Sequence, residues 1–98
     1  MATYLSCEAR EGQFPGECAI KGTTYAGGGF SLFAPQELVE LVSAPVTQEP
    51  VAAWLRVDVL DSDSHRALVR LPGQTFENGR TVTVSRERIE EREARQFA

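Results

Sequence analysis

Apolar and polar positions alternate most cleanly in the second half of the chain. Leu55, Val57 and Val59 are separated by Arg56 and Asp58, so one face is apolar and the other charged, the period-2 signature of a half-buried strand. Asp61-Ser62-Asp63-Ser64 then turns the chain. Residues 67–71 return with Val69 and Leu71 inward and Arg70 outward, and Pro72-Gly73 ends the strand. The tight-turn pair Asn78-Gly79 leads into residues 81–84, where Val82 and Val84 share the apolar face and two threonines the other. This half reads as a three-strand meander.

The first half is less regular, with strands expected at residues 3–9, 17–21 and 30–33. Gly22-Thr23-Thr24-Tyr25-Ala26-Gly27-Gly28 can be laid over Gly73-Gln74-Thr75-Phe76-Glu77-Asn78-Gly79 without a gap, and the same register sets Phe33 over inward-facing Val84. Upstream, Tyr4-Leu5-Ser6-Cys7 aligns with Trp54-Leu55-Arg56-Val57. These matches suggest an approximate internal repeat of residues 1–42 and 52–98, with residues 43–51, carrying Pro45 and Pro50, as an extended connector inside one domain spanning 1–98. Short helices are expected after the third and sixth strands. The first opens at Pro35, whose missing N–H costs nothing in a first turn; the second starts at Ser85.

The expected fold is therefore all-β and mainly antiparallel, a small barrel or sandwich of about six strands built from two similar three-strand halves. Two ββαβ units about a pseudo-twofold axis are an alternative arrangement. Short strands, turn glycines and single helical turns after strands resemble small SH3-like barrels at the level of fold only, which transfers no functional residue.

Composition narrows the function classes. With 98 residues, 42% of them apolar, the chain supports one modest core rather than a multidomain enzyme. A net charge of -4 repels phosphate backbones and anionic lipid. The start has no basic and apolar leader pattern, and no apolar run reaches a membrane span, so a cytoplasmic protein is expected. Two cysteines are too few for a disulfide framework or an all-cysteine zinc site.

Candidate chemistry is sparse. Cys7 and Cys18 would face each other in a hairpin turning at Gly12-Gln13, making a cross-strand disulfide conceivable. Their alignment with Val57 and Val69 instead marks them as small core residues. Asp58, Asp61 and Asp63 lack the glycine and distal glutamate of a calcium loop, and Asp61, Asp63 and His65 read as turn residues rather than an acid-base site. Gly27-Gly28-Gly29 lacks the Lys-Ser/Thr of a phosphate loop and reads as a hairpin turn. Neither an enzyme nor a metal or other cofactor is expected.

Two binding readings remain. The third strand of the first half is apolar on both faces, because Phe30 and Leu32 stand where the second half has Thr81 and Thr83. A non-enzymatic interaction module is thus expected to bind a protein partner, or itself as a homodimer, through Tyr25, Gly27, Gly28, Phe30 and Leu32. The alternative is a nucleic-acid-associated accessory protein. Residues 1–50 hold two basic and six acidic groups and residues 51–98 eight of each, so its contacts would be Arg56, Arg70 and Arg80 with a helical stripe of Arg88, Arg92 and Arg95.

Overall fold

The computed structural model describes residues 1–43, 45–77 and 79–92. The described residues form eight strands: β1 (Ala2–Glu11), β2 (Glu17–Thr23), β3 (Gly29–Pro35), β4 (Val39–Leu41), β5 (Val51–Ser62), β6 (Arg66–Thr75), β7 (Gly79–Ser85) and β8 (Ile89–Arg92). All assigned pairings are antiparallel, and the path β3-β2-β1-β5-β6-β7 curls into a half-barrel. Among the described residues, helix is limited to two three-residue 3-10 turns, Gln36–Leu38 and Arg86–Arg88.

β1 and β5 form the spine. Their shared edges run from Thr3 opposite Val57 to Ala9 opposite Val51, with Leu5 opposite Leu55. The second edge of each is divided: β1 takes β8 along residues 2–5 and β2 along 8–11, while β5 takes β4 along 53–55 and β6 along 58–62. Short β4 and β8 thereby satisfy backbone groups that the meander strands do not reach. This corrects the expected helices. After each 3-10 turn the chain returns to extended backbone, because an open spine edge lies beside it and Val39 and Ile89 favour a pleated surface.

The core follows the period-2 pattern. Leu5, Ala9, Cys18, Ile20, Phe30, Leu32, Ala34, Leu55, Val69, Leu71 and Val84 are each no more than 2% exposed. In β3 the inward set is therefore Phe30, Leu32 and Ala34, while Phe33, expected to share the inward register of Val84, is only half-buried. A one-residue slip reverses every side chain in a strand, and the expected alignment carried that slip. β3 accordingly presents one apolar face to the core, which Phe30 and Leu32 occupy. Exposure of those two residues to a partner is corrected here.

The hairpin tips close the ends of the curl. Phe76 N–H donates to Ser31 O at 2.9 Å, and Tyr25 N–H donates to Thr83 O at 2.8 Å. A Cβ on Gly73 would lie 3.1 Å from Phe33 O, so β6 passes closely along β3.

Candidate functional groove

The outer face of β1, β2 and β3 carries two cross-strand rows set by register. Glu8 lies opposite Lys21 and Lys21 opposite Ser31; Arg10 lies opposite Ala19 and Ala19 opposite Phe33. Small Ala19, between a long cation and an aromatic ring, leaves a trough along the second row. Phe76 forms one wall, packing edge-on against Phe33 with ring centroids 5.5 Å apart and planes at 84°. Gln48 and Pro50 of the connector and Gln13 form the other. The open groove so bounded has a volume of about 560 Å3.

Both walls are tethered. Glu77 accepts from Ser31 N–H and from Ser31 Oγ, each at 2.8 Å, which fixes the hairpin tip bearing Phe76. The Ser31 hydroxyl bond first, and the Ser31 amide bond next, hold the Glu77 carboxyl below the ordinary glutamate range. On the other side, Glu11 N–H donates to Thr47 O at 2.7 Å and Gln48 Nε2 donates to Glu11 Oε2 at 2.7 Å. Phe76 is nevertheless 70% exposed. The hairpin thus holds an aromatic ring in place while leaving most of its apolar surface in water.

The expected partner residues are not brought together. Phe30 and Leu32 are 1% exposed. Tyr25, Gly27 and Gly28 sit at the β2–β3 tip, which lies over β7, with Arg66 Cζ 5.7 Å from the Tyr25 ring centroid. Gly27, at φ 95°, supplies the positive dihedral of the turn, while Thr24 N–H donates to Gly28 O at 2.7 Å. Sequence reasoning missed Phe33, Phe76 and Glu77. Their one local signal was an aromatic within the turn following β6, since the contacts joining them to β3 span more than forty residues.

The arginine set also divides. Arg56, Arg70 and Arg80 line one depression. Arg88 lines another with Ser6, Glu8 and Lys21. Arg92 stands over Tyr4 and Trp54, at 4.4 and 5.3 Å from their centroids, and its Nη1 lies 3.1 Å from Glu40 Oε1. The expected helical stripe is thus corrected at Arg88 and Arg92, which occupy a 3-10 turn and a strand; Arg95 lies outside the described residues.

Other candidates resolve into structure. Asp63 Oδ1 accepts from the backbone N–H groups of His65 and Arg66 at 2.8 and 2.9 Å, the geometry of a turn, and these bonds lower its pKa, that from His65 most. Cys7 and Cys18 are free and buried. In β1–β2, Cys18 pairs with Glu11 rather than Cys7, because the hairpin is centred on Phe14-Pro15 rather than on Gly12-Gln13. Burial first, then Cys18 and Glu8, pushes the Cys7 thiol up to about 12, which opposes a thiolate nucleophile. Among the described residues no cluster of three metal-ligating side chains occurs, and no helix is long and apolar enough to cross a membrane.

No family model, curated protein or solved structure matches the chain.

Proposed function

We propose that this protein is a non-enzymatic interaction module whose groove on the outer face of β1–β3 holds a segment of a protein partner, a second copy of the chain included. The observation that carries this reading is the Phe33–Phe76 pair. Phe76 is largely exposed, and its hairpin tip is fixed to Ser31, at the rim of a groove whose floor also offers Lys21, Arg10 and Glu8. An apolar side chain of the partner inserts above Ala19 against the two rings, and polar groups pair with the flanking charges. The unpaired thiols Cys7 and Cys18 support a reducing, cytoplasmic setting for this role.

We further propose that the scaffold is two copies of one strand-strand-strand-turn-strand unit. Leu5 opposite Leu55, β8 on β1 and β4 on β5, each with a preceding 3-10 turn, support it. The 50-residue spacing of Val39 and Ile89, which face Leu55 and Leu5 respectively, supports it too.

Capture from nuclease-treated lysate with tagged wild-type protein and with Phe76→Ser tests the binding role. Wild type is expected to retain a protein, or in light scattering a second copy of itself, which Phe76→Ser loses with an unchanged melting temperature. Identical capture and mass for both proteins would refute the groove reading.

A further inference from the structure

Away from the groove, Arg56 of β5, Arg70 of β6 and Arg80 of β7 line a depression of about 180 Å3 with Asp58, Leu38, Leu71 and Pro72. All three arginines are exposed, and Asp58, opposite Arg70, is the one acidic residue of the lining. Among the described residues, the side chains of Arg56 and Arg70 make no hydrogen bond, ion pair or ring contact, and that of Arg80 donates a single long bond from Nη2 to Pro72 O at 3.4 Å. Three guanidinium groups against one carboxylate give a locally cationic site on a chain of net charge -4. Like charges gathered across neighbouring strands repel one another, and an external anion relieves that repulsion.

We propose that this depression binds a phosphoryl group, a phosphomonoester dianion borne by a small molecule or by a phosphorylated side chain. A carboxylate is met by one guanidinium fork, whereas three forks from three strands suit a doubly charged group with three terminal oxygens. An extended nucleic-acid backbone fits less well. The surface adjoining Arg56 and Leu38 carries exposed Glu37, which repels any phosphate continuing in that direction.

The test is a two-dimensional NMR titration of the intact protein at constant physiological salt. The probes are inorganic phosphate, O-phosphoserine, a phosphoserine peptide, acetate and a single-stranded oligonucleotide. Saturable amide shifts at residues 56, 58, 70 and 80 with the phosphate-bearing probes are expected. Arg70→Gln should weaken them by about tenfold, the effect of losing one charge-assisted bond, and Arg88→Gln in the other depression should leave them unchanged. Should Arg70→Gln unfold the chain, Arg56→Gln reads the same loss from the same rim. A peptide that binds more tightly than free phosphate assigns the group to a modified protein; equal affinities assign it to small phosphate esters. Absence of saturation, equal shifts with acetate, or tighter binding of the oligonucleotide than of the phosphate-bearing probes would each overturn the proposal.

Discussion

At the scale of single residues, Gly22 shows how a small side chain is specified by a large neighbour. Gly22 lies opposite Phe30, and a Cβ there would overlap Phe30 Cζ and stand 2.7 Å from Cε1. Phe30 is 1% exposed, and close-packed interiors leave a buried ring little room to retreat. Gly22→Ala is therefore expected to destabilise the fold by about 1–3 kcal/mol, the usual cost of overpacking, despite removing no contact. Urea denaturation followed by tryptophan fluorescence measures it. An unchanged midpoint would mean that the ring shifts freely. The sequence marked Gly22 as a turn-flanking glycine of the aligned hairpin, but its real constraint comes across the ladder, from a residue that sequence reading had placed on an outer surface.

At the scale of elements, the two walls of the groove are hairpin and connector segments, each held by a backbone bond and a side-chain tether. Glu77 is the latch of the β6–β7 tip, and its carboxyl is depressed by the two bonds from Ser31. A depressed carboxylate stabilises above its unfolded pKa, and that contribution disappears as pH falls through the lower folded value. The Ser31 and Phe76 amides should thus keep their protection from hydrogen exchange at neutral pH and lose it as acid protonates Glu77, while Glu77→Ala loses it at all pH values. Protection that is indifferent to both pH and substitution would show that the backbone bond from Phe76 to Ser31 holds the tip unaided. Elements were unequally legible. The alternation at Leu55, Val57, Val69, Leu71, Val82 and Val84 located the meander of the second half, but a lone turn followed by Val39 or Ile89 carries too short a pattern to separate helix from strand. The decision was made by an open edge of the spine.

At the scale of the whole molecule, the exchange of β4 and β8 between halves makes neither half complete. Residues 1–43 lack a partner for the long edge of β1, and residues 44–98 lack the strand that covers residues 53–55 of β5. The two fragments, produced together, are expected to copurify as a one-to-one complex with the amide spectrum of the intact chain. Each produced separately is expected to be unfolded or aggregated, because a long unpaired edge and an uncovered apolar face remain. A well-dispersed spectrum from either fragment in isolation would refute this.

The sequence by itself determined the all-β, mainly antiparallel class and the approximate positions of six strands, because alternating burial and turn residues act over a few positions of chain. It also marked Cys7 and Cys18 as core candidates, since a thiol without cationic neighbours behaves as a small apolar group. Tertiary structure decided which face of β3 is buried, where β4 and β8 pair, and that Phe33, Phe76, Ser31 and Glu77 form one rim. Those outcomes depend on register and on contacts between distant segments. A shift of one residue reverses a strand's two faces while leaving its local pattern almost unchanged.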